Sequence, residues 1–227
     1  MHRAREIFEA IAPTIIELEP LEAELAKLFT NSGRYLSFAV SNQFYLLATA
    51  HGLDFYRIHN AVTQEYLRMR AFATAGFAAG PCLVQDTLQL SAFSGNKFFL
   101  GHSAMVVNEG LPNFVVDQPR PYNLQDKTVA ILGMAFKAES DDQRNSLAYK
   151  HKKLLEVEGG RVLCTDTYVA DRNLVPLQHA IDEADVIVVG APNKDYSNLR
   201  FSPDELFFDM WNLWPQLKEV RELAGAA

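Results

Sequence analysis

The chain has 227 residues, 48% of them hydrophobic and 22% charged, and a formal net charge of −7. That balance allows one large domain or two modest ones, and excludes a disordered polymer, a collagen-like repeat and a disulfide-stapled miniprotein. The longest apolar runs fall far short of the roughly 20 residues that span a bilayer. The acidic charge argues against a nucleic-acid partner, two cysteines build no disulfide framework, no Cys/His cluster has zinc spacing, and the N-terminus has no signal-peptide core. A cytoplasmic protein without membrane, metal or nucleic-acid partner is expected.

Arg3 to Ile11 sets Ile7, Phe8 and Ile11 at helical spacing and stops before Pro13. A long pattern then runs from about Leu21 to His51. Leu21, Leu25, Leu28, Tyr35, Leu36, Ala39, Val40 and Leu46 fall largely on one stripe of period 3.6, and Gly52 is the natural stop. A short helix is expected over Asp54–Val62, then a loop rich in Ala and Gly from Ala71 to Cys82. Helices near Asp86–Ser94 and Phe98–Gly110 follow, the second ended by Gly110. The polar, proline-containing stretch 117–127 reads as a linker.

Beyond it the period changes. Thr128–Gly133, Arg161–Asp166 and Asp185–Gly190 are short β-branched runs, separated by helical patterns over Asn145–Glu158 and Leu177–Glu183. Phe207–Trp211 suggests a fourth strand and Leu217–Leu223 a last helix. Alternating strands and helices argue for a parallel sheet. The expected fold is therefore α followed by α/β: a helical domain over 1–116 with one very long helix, the linker, and a Rossmann-like parallel-sheet domain over 128–227. Ligands of such sheets bind at the carboxyl ends of the strands, which points at Gly133–Lys137, Asp166–Tyr168 and Gly190–Tyr196.

Several residues there and on the long helix could carry chemistry. Lys137 and Arg144 follow the first strand, where a cation beside a helix N-terminus suits a phosphate; they could equally be solvated loop charges, and Asp142 could pair with either. Glu24, Lys27, Asn31 and Asn42 share one face of the long helix. Such a stripe is either solvated or hydrogen-bonded by something buried against it, such as a sugar or a water. Cys82 precedes a helix in a small-residue loop, a setting that activates a thiol, although a lone cysteine also serves as a small core residue; Asp86 lies one turn on. Cys164, within a strand, reads as core. Asp166 could bind a ribose hydroxyl or cap a turn.

In this order the pieces resemble the UDP-glucose/GDP-mannose dehydrogenase family, the nucleotide-sugar 6-dehydrogenases. Ala23-Glu24-Leu-Ala-Lys27-Leu-Phe-Thr-Asn31 with Asn42 looks like the central-domain helix of that family. Gly76-Phe-Ala-Ala-Gly80-Pro-Cys82-Leu-Val-Gln85-Asp86 looks like its glycine-rich cysteine loop. Gly133-Met-Ala-Phe-Lys137 with Asp142-Gln-Arg144-Asn-Ser146 is similar to its G-x-x-F-K…D-x-R-x-S signature, and Asp209-Met-Trp-Asn212 to a late D-x-x-N strand.

The resemblance implies NAD-dependent oxidation of a sugar C6 hydroxyl to the acid through a cysteine thiohemiacetal and thioester. It implies Cys82 as the nucleophile, Lys27 and Asn31 on the developing oxyanion, and Asp86 on the water. Lys137 would meet the nucleotide diphosphate of a UDP-sugar, with Asn42 also at the substrate, Arg144 would reach the NAD pyrophosphate, and Arg68 would be lent to a neighbouring subunit. It further implies a homodimer through the long helix and a role in polysaccharide biosynthesis. The sequence departs from the family in three places: Gln85 replaces a common lysine, alanines occupy two glycine positions of the cysteine loop, and Trp211 replaces a late arginine. No G-x-G-x-x-G segment precedes the helical part, so the chain is expected to lack its NAD-binding N-terminal half, which would be a partner, and to be inactive alone. The alternative is a non-catalytic nucleotide-sugar-binding or dimerisation module.

Overall fold

A computed structural model describes residues 2–77, 80–119, 122–201 and 205–215. After a short helix α1 (His2–Glu9), the helical part is built on α2 (Pro20–Ala50), 31 residues long, or about 46 Å at 1.5 Å per residue. A proline in its first turn and a reciprocal Glu19–Glu22 capping box start it. Leu28, Ser32, Tyr35, Ala39, Asn42, Tyr45 and Ala48 recur every three or four residues and form its buried stripe. Against that stripe lie α3 (Phe55–Thr63), capped by Asp54 accepting from Tyr56 N–H at 2.8 Å, α4 (Pro81–Phe93) and α5 (Phe99–Asp117).

The second part alternates β1 (Thr128–Leu132), α6 (Leu147–Val157), β2 (Arg161–Thr165), α7 (Leu177–Asp182), β3 (Val186–Val189) and β4 (Leu206–Phe208). All four strands are parallel, in the order β2-β1-β3-β4. Their alternation divides the core. Val129, Ile131, Val186 and Val188 face α6 and the helical part, in one apolar cluster with Tyr45, Phe55, Phe77, Leu111, Val115 and Leu155. Ala130, Leu132, Ile187 and Val189 face α7, Tyr196 and Trp214. The two parts thus share a continuous interior, and the strand order reverses between β1 and β3, where a crevice opens at the carboxyl edge.

The helix-then-parallel-sheet architecture is the expected one, with three local differences. Helix α4 starts at Pro81, five residues before the expected Asp86, because proline is preorganised for a first helical turn; Cys82 is therefore helical. Helix α5 continues through Gly110 and Pro112 to Asp117, since Leu111, Val115 and Val116 are each at most 2% exposed and their burial outweighs the local penalty. Strand β4 ends at Phe208, and Asp209 caps a turn by accepting from Trp211 and Trp214 N–H at 3.0 Å each. The helix expected over Leu217–Leu223, the loop alanines Ala78 and Ala79, and two linker residues lie outside the described residues. Among the described residues, no helix is long and apolar enough to cross a membrane and no cluster of three His, Cys, Asp or Glu is arranged for a metal.

Candidate active site

The turn after β1 is held from behind. Asp166, at the end of β2, accepts from Met134 and Ala135 N–H with one oxygen (2.6 and 3.1 Å) and from Tyr168 and Val169 N–H with the other (2.8 and 3.2 Å). Of its two readings, the cap is the one built: four backbone donors occupy the carboxylate. Ser146 Oγ donates to Ala135 O at 3.1 Å and Phe136 N–H to Asp142 O at 3.0 Å. This scaffold presents Phe136 and Lys137 to the crevice, with Lys137 Nζ 5.5 Å from the Phe136 ring centroid. Arg144 pairs with Asp142 through Nε (3.0 Å) and Nη2 (2.7 Å). The Arg144 guanidinium, helped by its backbone N–H, holds the Asp142 carboxyl down at about 2.

The helical part supplies the facing wall. Cys82 is exposed in the first turn of α4, where backbone N–H groups are unpaired within the helix. One turn later Asp86 is buried and receives Lys27 Nζ and Asn31 Nδ2 from α2, each at 2.5 Å. Burial pushes the Asp86 carboxyl up, but the Lys27 ammonium and the Asn31 amide outweigh it and hold the group below the ordinary carboxylate value.

The walls enclose a cleft of about 390 Å³. Its helical side carries Asn31, Arg34 and Phe38, with Pro81 and Cys82 at the start of α4. Its sheet side carries Phe136, Lys137, Asp142 and Arg144, closed by Pro192 and Trp211. Cys82, Asn31, Lys137 and Arg144 therefore meet at one cavity, with Lys27 and Asp86 one helical turn behind. Two expected site residues stand apart. Asn42 is fully buried, and its amide donates to Gly76 O (3.0 Å) and Asn108 Oδ1 (2.9 Å) while its oxygen accepts from Gly76 N–H (2.9 Å); it pins the cysteine loop rather than facing the cleft. Arg68 is exposed on the 3₁₀ turn Leu67–Met69 and does not line the cleft of its own chain.

Arg34, Phe38 and Trp211 line the cleft without having been singled out as contacts. Arg34 and Phe38 continue the row from Lys27 and Asn31 at i+7 and i+11, so the helical period contained them. The Trp211 contact comes from a turn whose course the sequence does not reveal. Gln85 is exposed and does not line the cleft.

Two family models match this chain: the central domain of the UDP-glucose/GDP-mannose dehydrogenase family over residues 21–109, and the UDP-binding domain of the same family over 130–216. The chain belongs to the UDP-glucose/GDP-mannose dehydrogenase family. A UDP-N-acetyl-D-mannosamine dehydrogenase of Methanocaldococcus jannaschii is 30% identical over 199 residues, which are 86% of this chain and 46% of that protein. A UDP-glucose 6-dehydrogenase of Haloferax volcanii is 28% identical over 198 residues, 85% of this chain and 46% of the relative. The structure of a UDP-glucose dehydrogenase from Pyrobaculum islandicum superimposes with a TM-score of 0.83 at 25% identity, covering 94% of this chain and 53% of that one. The chain thus spans about half the length of the relatives it matches.

Proposed function

We propose that this chain supplies the substrate cleft and the nucleophile of an NAD-dependent nucleotide-sugar 6-dehydrogenase that oxidises the C6 hydroxyl of a UDP-sugar to the uronic acid. The observation that carries the reading is the convergence of Cys82, Lys137, Arg144, Asn31 and Arg34 from two separate parts of the chain onto one cleft, with Lys27 one helical turn behind. Lys137 meets the substrate diphosphate as a point charge. Asn31 and Arg34 then face the sugar end, beside Cys82. The Cys82 sulfur adds to the C6 aldehyde carbon to give a thiohemiacetal, its proton passing to water, and Lys27 and Asn31 stabilise the oxygen. At the thioester stage Asp86, kept ionised by Lys27 and Asn31, orients the water that attacks the carbonyl carbon; the C–S bond breaks, releasing the uronate and restoring the thiol. A second copy packs along α2 and lends Arg68.

NAD would supply the oxidising power, two equivalents in turn taking one hydride each from C6, first at the alcohol and then at the thiohemiacetal. In the turn after β1 the space beside Gly133 is filled by backbone, since a Cβ there would meet the Ala191 carbonyl oxygen at 2.4 Å. What the described residues offer NAD is the Arg144 guanidinium, 74% exposed at the cleft rim, and an NAD-binding half is the partner this implies. The chain alone is therefore expected to bind the sugar nucleotide without turning it over.

Calorimetric titration with UDP tests the reading. Binding that prefers UDP to AMP supports it, and no heat at millimolar UDP removes the nucleotide site. A Cys82 thiol no more reactive than a free model thiol, with UDP still bound, favours a non-catalytic binding or dimerisation module instead. Oxidation of a UDP-sugar by the chain with NAD alone overturns the need for a partner half.

A further inference from the structure

Two rings from the sheet side rest on the two glycines that bracket the cysteine loop. Trp211 lies against Gly76, where a Cβ would sit 2.0 Å from the ring; Phe136 lies against Gly80, the residue preceding α4, where a Cβ would sit 2.7 Å from the ring. The backbone at both, φ +153° and +111°, also favours glycine. Trp211 is itself fixed, its Nε1–H donating to Val189 O at the end of β3 (3.2 Å). From the helical side Asn42 grips both backbone groups of Gly76, and the Tyr56 hydroxyl donates to Met210 O at 2.8 Å, tethering the segment that carries Trp211. Gly76 is thus clamped between an amide of α2 and a ring that hangs from the carboxyl edge of the sheet.

We propose that Trp211 is a positioning residue for Cys82. It holds Gly76 against Asn42 and, with Phe136 on Gly80 next to Pro81, ties the start of α4 and its thiol to the nucleotide-binding edge of the sheet. The proposal rests on Cys82 being the reactive group of the cleft. The physical link is the first turn of α4: a thiol there gains reactivity from the unpaired N–H groups of the helix end and from nearby positive charge, and both depend on where the loop delivers Pro81 and Cys82. Releasing Gly76 lets that turn fray.

Alkylation of Cys82 by iodoacetamide in the full, ligand-free chain, followed by peptide mass spectrometry across pH, reads this directly, with buried Cys164 as the slow internal reference. The expected result is at least a roughly threefold slower reaction for Trp211→Ala at pH 7. Trp211→Phe, which keeps a ring on Gly76, restores most of the rate. A merely structural role would leave the pH profile of Cys82 unmoved, so superimposable profiles for wild type and Trp211→Ala overturn the proposal. Should Trp211→Ala unfold, seen as Cys164 reacting as fast as Cys82, Asn42→Asp carries the test from the opposite side of Gly76: the same slowing supports the clamp and a wild-type rate overturns it. A wild-type profile identical to a free model thiol overturns the reactive cysteine and this proposal with it, whereas a perturbed profile that both substitutions leave unchanged removes only the clamp.

Discussion

Asp86 and His151 are buried groups whose surroundings set their charge in opposite senses. Asp86 stays ionised because Lys27 and Asn31 outweigh its desolvation. Asp86→Ala strips both partners of their acceptor and is expected to lower stability by about 1–2 kcal/mol in urea melts, with Lys27→Met costing less because that side chain is 61% exposed. His151 is fully buried, its Nδ1 lies 3.3 Å from Pro112 O, and its Nε2 has no partner among the described residues. Burial pushes its pKa down to about 4, against a smaller opposing effect of the Pro112 contact. Because the folded value lies below the ordinary 6.5, the unfolded chain binds the proton first as pH falls. The associated stability is whole above about pH 6.5 and is lost progressively toward pH 4. Between pH 7 and pH 5 the loss should be about 2 kcal/mol, and His151→Phe should flatten that slope. Asp86 does not contribute in this window, since its lowered pKa keeps it charged there. Melts at pH 7 and 5 that show the same drop for wild type and His151→Phe would assign the acid sensitivity elsewhere.

At the scale of elements, α4 and α5 show how local signals yield to packing. Pro81 and Gly80 read from the sequence as a loop, yet they are a first helical turn and its preceding residue, and that shift places Cys82 at a helix end. Gly110 reads as a stop, yet α5 runs on because Leu111 and Val115 complete the interior beneath the sheet. Gly110 is in regular helix, and a Cβ there would meet nothing within 4 Å. Gly110→Ala is therefore expected to raise stability by about 0.5–1 kcal/mol through helix propensity and a less flexible unfolded chain, measurable as a higher urea midpoint at unchanged slope. A lower midpoint would mean that the glycine serves the passage of the helix through Pro112.

For the whole molecule, the informative surfaces are the cleft between the two parts and the outer face of α2. Lys137→Ala is expected to weaken UDP binding about tenfold by calorimetry, while Lys194→Ala, whose ammonium is paired with Glu139 outside the cleft, should leave it unchanged; equal losses would turn the effect into one of general surface charge. On α2, Phe29, Val40, Phe44 and Leu47 are each at least 45% exposed and follow one another along the helix. An apolar row of that length would suit the proposed second copy. Phe44→Glu is expected to shift the sedimentation coefficient from dimer to monomer without loss of helicity. A wild-type chain that sediments as a monomer at tens of micromolar would remove that interface.

Taken alone, the sequence determined the order of helices and strands, the length of α2, the parallel sheet and the family. These follow from hydrophobic period, glycine and proline placement, and motifs of residues close together in the chain. That Lys27 and Asn31 share a helix face, and that Asp86 lies one turn from Cys82, was legible because helical spacing is fixed; a chemical role for them came only from the family resemblance. That Lys27 and Asn31 close on Asp86, 59 and 55 residues away, was decided by the packing of α2 on α4. The tertiary structure alone also decided that Asn42 is enclosed, that Asp166 is spent on four backbone donors, and that Arg34 and Trp211 line the cleft. Most of these contacts join residues far apart in sequence, and no local propensity encodes them: they exist because α2 packs on α4 and the cysteine loop, and because the helical part and the sheet bury apolar faces against each other.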